Sequence, residues 1–220
     1  RSLIDAEYAI NADSGVGRLD KNYKPIAYQI QAAEKTYADY TISITNPGGH
    51  SSRPTKVNAI YDLAQALKEI ESYAFPVQSN DITLEYFKMR SDAEKNQLGK
   101  AMLDFSINPN DTKAAEIISN DPNQIGIIKT TCVATMLDAG HAENALPQSA
   151  SANINCRLFP GTEVAEISSK LREIISNPNI KINVSGTPKS APASPLKEEI
   201  MDGFKSKMFG DKSSVSLDDD

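Results

Sequence analysis

In Tyr40-Thr41-Ile42-Ser43-Ile44-Thr45-Asn46-Pro47-Gly48-Gly49-His50-Ser51-Ser52-Arg53-Pro54 an alternating strand gives way to a rigid turn. Tyr40, Ile42 and Ile44 share one face, and Thr41, Ser43 and Thr45 share the other, the two-residue period of a half-buried strand. Two prolines and two glycines then fix a sharp, backbone-exposed turn. Inside it sits His50, one of two histidines in the chain, flanked by two hydroxyls and an arginine. Such a loop between strand and helix can present the ring to a ligand. The same residues read equally as a surface loop whose histidine bonds local backbone.

Working outward, a helix is predicted from Val57 to Ser72. Its Ile60, Leu63, Ala64, Leu67 and Ile70 recur at three and four residues, a stripe suited to core or subunit contact. Upstream, strands are predicted over Ile26–Ala32 and Thr36–Thr45. Downstream, residues 75–124 read as a helical insertion. Ser91 with Glu94 predicts a capping box for a helix reaching about Phe105, and Asp111 a cap for Thr112–Ser119.

Regularity returns with strands predicted over Ile127–Leu137 and Ser149–Phe159. Their connection, Asp138–Gln148, carries Gly140, His141, Asn144 and Pro147. On the second strand Ala150, Ala152, Ile154, Cys156 and Leu158 share one face, and Asn153, Asn155 and Arg157 the other. Arg157 reads either as a ligand group or as an ordinary solvated strand charge. Pro160-Gly161-Thr162 predicts a helix to about Ser176 with Thr162 as its N-cap, and a strand follows over Ile180–Val184. The order strand, helix, insertion, two strands, helix, strand is βαββαβ. It predicts an α+β, ferredoxin-like domain: a four-stranded antiparallel sheet, two main helices on one face, and a helical insertion. Pro188–Pro195 reads as a linker and Ser194-Pro195 as the start of another helix. The predicted division is 1–35, 36–189 and 190–220, the outer pieces being stumps of a second domain.

The composition is that of an ordinary globular protein, 40% apolar and 24% charged over 220 residues. A formal net charge of −6 leaves no electrostatic footprint for nucleic acid or an anionic membrane. No apolar run reaches membrane-spanning length. A chain running from Arg1 to Asp218-Asp219-Asp220 reads as an excised piece, with the compartment open: soluble, cytoplasmic or periplasmic/secreted. Cys132 and Cys156 fall on two strands of one predicted hairpin and are expected as buried thiols, since two cysteines make no disulfide framework. A zinc site from these cysteines and the two histidines lacks any short ligand pairing. Asp13 follows the short apolar run Tyr8-Ala9-Ile10 and precedes Gly15 and Gly17. That is a ligand position in α/β sheets, or equally an Asx turn.

Four segments in order resemble the M20 family of metallopeptidases, the carboxypeptidase G2, aminoacylase and succinyl-diaminopimelate desuccinylase group. Asn46-Pro47-Gly48-Gly49-His50-Ser51-Ser52 resembles its G-x-H-S/A loop. Gly140 with Asn144-Ala145-Leu146-Pro147 resembles its G…N-x-x-P turn. Asn155-Cys156-Arg157-Leu158-Phe159-Pro160-Gly161 resembles its D-x-R-x-x-P-G strand end. Ala12-Asp13-Ser14-Gly15 resembles a segment carrying a late metal-binding carboxylate. The resemblance implies a zinc-dependent peptidase or amidohydrolase acting on peptide or N-acyl amino acid amide bonds, with a lid that forms a homodimer. His50 would then stabilise the oxyanion in the neighbouring subunit's site, Asn144 and Arg157 would hold substrate, and Asp13 would bind one of two zinc ions that activate the attacking water. The family's H-x-D pair, Glu-Glu pair and final His ligand are absent, so the chain by itself is expected to be inactive and without a stably bound metal. Asn155 stands where an aspartate is common. The alternative is a stand-alone dimerisation or ligand-binding module.

Overall fold

The computed structural model describes residues 9, 16–19, 22–23, 25–202 and 215–219. The elements are β1 (Val16–Leu19), β2 (Pro25–Ala33), β3 (Thr36–Thr45), β4 (Gly49–His50), α1 (Ala59–Ser72), α2 (Asp81–Ala93), α3 (Gln97–Ile107) and α4 (Thr112–Ser119). They continue with α5 (Ile125–Ile128), β5 (Thr131–Ala139), β6 (Ala145–Leu146), β7 (Ser149–Leu158), α6 (Val164–Ile174), β8 (Lys181–Ser185) and β9 (Val215–Asp219).

The central sheet has the order β5-β7-β3-β8, and every neighbouring pair is antiparallel. With α1 between β3 and β5 and α6 between β7 and β8, this is the ferredoxin-like βαββαβ arrangement read from the sequence. Strand alternation drives it. Ala38, Tyr40, Ile42 and Ile44 of β3 point to the same buried side as Ala152, Ile154, Cys156 and Leu158 of β7. Leu63, Ala66 and Ile70 of α1, with Ile167 and Leu171 of α6, cover them. Burying each large aliphatic side chain contributes roughly 1.5–3 kcal/mol. Burial also pushes the Tyr40 phenol up to about 12, and its OH donates to the Val164 carbonyl at 3.0 Å, pinning α6 to the central strand. Glu69, near the end of α1, accepts from the backbone N–H of Ser176 at 2.9 Å, so the two helices are also tied at their ends.

The helical insertion packs on a core of its own, in which Phe87, Met102, Phe105, Ile118 and Ile128 are fully buried. Asp111 caps α4 as expected, accepting from Lys113 and Ala114 N–H at 3.0 Å each. Other local expectations are corrected. Ser91 and Glu94 close α2 rather than open a helix. The capping box is Asn80 with Thr83, and Asn96 caps α3. Ile125–Ile128 is a helical turn completing the insertion, so the strand begins at Thr131 and not Ile127. Thr162 does not cap α6; the N-cap position is Glu163, without a side-chain bond. Ser194 does not cap the last described helical turn, 198–202; its N–H instead bonds the Ala32 carbonyl at 2.8 Å.

The cysteine expectation is also overturned. Cys132 and Cys156 form a disulfide across the β5–β7 pair, with Cα atoms 4.1 Å apart. The register places them directly opposite one another on the buried face, a closeness that spacing in sequence does not specify.

Candidate functional site

The turn after β3 is built by close backbone packing against the segment before β7. His50 pairs with Ala145 and Gly49 with Leu146. Asn46 N–H donates to the Gln148 carbonyl at 3.0 Å, and Ser51 N–H to the Asn144 carbonyl at 3.0 Å. Gly48 has φ +72°, and a Cβ there would lie 2.6 Å from Gln148 Cγ, so glycine is required on both counts. The small sheet therefore brings His50 and Asn144, two of the predicted site residues, onto one exposed two-stranded ribbon.

The imidazole is oriented from within the turn. The backbone N–H of Ser52 lies 3.1 Å from His50 Nδ1, and Ser52 Oγ lies 2.8 Å from the same atom. An amide N–H can only donate, so Nδ1 accepts and the neutral ring carries its proton on Nε2. His50 thus presents an N–H donor outward.

Arg157 lies elsewhere. In register it is opposite Tyr37 and Thr131, whereas the β4–β6 ribbon leaves the sheet beyond Thr45 and Ser149. Eight residues at about 3.3 Å each separate Arg157 from Ser149, about 26 Å along β7. Within one chain the predicted site is divided between opposite ends of the sheet, with His50, Asn144 and Arg157 all exposed.

Around Arg157 the helix-free face of the sheet carries a polar cluster. Its guanidinium sits over the Tyr37 ring, 4.6 Å from the centroid. Asp39, opposite Asn155, accepts at one oxygen from Asn153 Nδ2 and Asn155 Nδ2, both at 2.9 Å. Tyr37 also bonds Asp39. Hydrogen bonds from Asn155, Asn153 and Tyr37 hold the Asp39 carboxyl below the usual range, with Arg157 adding a smaller effect. This explains the asparagine at 155: an aspartate there would set two carboxylates face to face. Tyr37 and Asp39 were not singled out from the sequence. Their alternation along β3 was visible, but their alignment with Asn155 and Arg157 depends on a pairing between strands over a hundred residues apart.

Asp13 lies outside the described residues. Among the described residues no group of three or more His, Cys, Asp or Glu side chains could hold a metal ion, and no helix is long and apolar enough to cross a membrane.

These elements define a two-layer, ferredoxin-like α+β domain with a histidine-bearing two-stranded ribbon at one end of its sheet. Residues 32–183 match the model of the M20 peptidase dimerisation domain, and the chain belongs to that family. It is 28% identical over 172 residues to the probable carboxypeptidase S-like 2 of Dictyostelium discoideum, covering 78% of this chain and 32% of that protein. To the N-fatty-acyl-amino acid synthase/hydrolase PM20D1 of Mus musculus it is 25% identical over 180 residues, covering 81% and 35%. The chain thus spans about a third of the length of these curated relatives. The fold is shared with aminopeptidase PepT from Bacillus cereus, at TM-score 0.55 and 13% identity, over 100% of this chain and 45% of that one.

Proposed function

We propose that this chain is the lid and dimerisation region of a metal-dependent M20-type hydrolase that cleaves peptide or N-acyl amino acid amide bonds. Residues 36–189 form the lid, and 1–35 and 190–220 belong to the catalytic domain. The observation that carries the reading is the division of exposed polar groups between opposite ends of one sheet.

A homodimer unites them. The edge strand β5 exposes Val133, Met136 and Leu137 and has unpaired backbone groups along its outer side, a template for a second strand. A two-fold axis pairs β5 with itself antiparallel, an isologous contact. The Ala139 end of one protomer then meets the Thr131 end of the other. His50 and Asn144 of one protomer fall at the same end of the seam as Arg157 of the partner subunit.

In that composite site His50 Nε2–H donates to the oxygen that becomes negative as the amide carbonyl turns tetrahedral. The Ser52 bonds fix the ring before substrate arrives, so no reorientation is needed in the transition state. Arg157 grips the substrate carboxylate with its planar fork, and Asn144 supplies a neutral hydrogen-bonding group beside the scissile region. Zinc, when bound to the intact protein, supplies the activated water. Asp13 is proposed as one of its ligands, and the described residues by themselves make no metal site. The Cys132–Cys156 disulfide supports folding in an oxidising, periplasmic or secretory, compartment.

The test is turnover of dipeptides and N-acyl amino acids by the intact protein supplied with zinc or cobalt. Hydrolysis is expected, and His50→Ala is expected to lower kcat by about 10²–10³ with the dimer unchanged by sedimentation. Full turnover by His50→Ala, or none by the wild type on either substrate class, overturns the reading.

A further inference from the structure

We propose that Tyr37 is a positioning residue for Arg157, holding its guanidinium over an aromatic face so that its N–H donors stay available to a carboxylate-bearing ligand. The inference rests on the reading of Arg157 as a ligand group and goes beyond it by saying how the group is kept ready.

A guanidinium on a sheet surface can be anchored in two ways. A carboxylate anchors it by accepting its N–H bonds, which consumes the donors a ligand needs. An aromatic ring anchors it through its π face and leaves every N–H free at the rim. Here the second arrangement is built. Tyr37 stands directly opposite Arg157 in register, and its ring lies 4.6 Å from the guanidinium carbon. Asp39, one alternation along the same strand face, is the carboxylate that could capture Arg157. Its Oδ1 instead accepts from Asn153 and Asn155. Among the described residues no carboxylate forms an ion pair with Arg157.

The amides do more than occupy Asp39. Asn153 also donates to Thr135 Oγ1 at 2.9 Å on the edge strand, so the cluster runs across β3, β7 and β5 without a break. Tyr37 is 51% exposed. Its ring therefore contributes little to the core, and a change there reads on Arg157 rather than on folding. The chain thus separates two tasks between two side chains: an aromatic ring that supports the cation, and a carboxylate held by amides rather than by the guanidinium.

The experiment compares Tyr37→Phe, which keeps the ring, with Tyr37→Leu, which removes it. In the intact protein Tyr37→Leu is expected to raise KM about three- to fivefold for substrates with a free carboxylate. The expected kcat stays within about twofold, with no KM change for the same substrates capped as amides, and Tyr37→Phe restores the wild-type KM. Independently of turnover, the Arg157 Nε–H proton signal of this chain, assigned by its loss in Arg157→Lys, is expected upfield in wild type and Tyr37→Phe. In Tyr37→Leu it is expected to move downfield as the ring current is lost. Unchanged KM and an unmoved signal in Tyr37→Leu overturn the positioning role while leaving Arg157 as a ligand group. A KM unaffected by Arg157→Ala overturns both.

Discussion

If each composite site takes His50 from one protomer and Arg157 from the other, two crippled chains can rescue each other. His50→Ala alone is expected to cost about 10²–10³ in kcat, and Arg157→Ala at least about tenfold through loss of a charged hydrogen bond. Each homodimer carries its defect at both sites. In a heterodimer the two lesions fall together in one site and leave the other intact, because about 26 Å of β7 separates their positions within a chain. Random pairing makes half the dimers mixed, each with one working site, so co-expression of the two variants should recover about a quarter of wild-type activity. The assay is kcat on an N-acyl amino acid for the co-expressed pair, with differently tagged chains verifying that mixed dimers form. Activity no higher than the mean of the two homodimers, with mixed dimers present, would refute a site shared across the seam.

Three further outcomes follow from the fold. The disulfide closes a loop of 24 residues, so reduction, or Cys132→Ala, should lower unfolding free energy by about 3 kcal/mol; urea midpoints unchanged by both would contradict that. Leu137→Lys, at a position 65% exposed on the edge strand, should convert the proposed dimer to monomer in sedimentation while shifting monomer stability by no more than about 0.5 kcal/mol. Asp39 and Glu69 are both held below their ordinary carboxyl values, chiefly by Asn155 and by Ser176 respectively. A depressed folded value means the stabilisation is present above the unfolded value near about 4. It is lost as pH falls through the folded one. Urea midpoints measured downward from pH 5 should therefore drop less steeply in Asp39→Asn combined with Glu69→Gln than in the wild type.

Much of this molecule is legible in its sequence because strands and helices write their burial as a period. The alternation through Tyr40, Ile42 and Ile44, and through Ala152, Ile154 and Cys156, is enough to orient β3 and β7. On α1 the predicted stripe holds at Leu63, Leu67 and Ile70, whereas Ile60 and Ala64 are exposed and Ala66 is buried instead. Helix ends were read less well, since Ser91, Thr162 and Ser194 are all competent caps and only the surrounding packing decides where a helix begins. Asp111 was read correctly because a proline-containing turn isolates it from any competing start.

By itself the sequence determined the βαββαβ order of the main elements, the buried sides of β3 and β7, and the identity of the turn that presents His50, but it missed α2 and put Ile127 in a strand. Tertiary structure alone decided which side chains of distant strands stand opposite one another. Register matched Cys132 to Cys156, Asp39 to Asn155 and Tyr37 to Arg157, and it set His50 and Arg157 at opposite ends of one sheet. The physical reason is that periodicity is a local property of the backbone. Pairing between strands is instead chosen by the whole core they close together, and a shift of one residue would turn every one of these faces over.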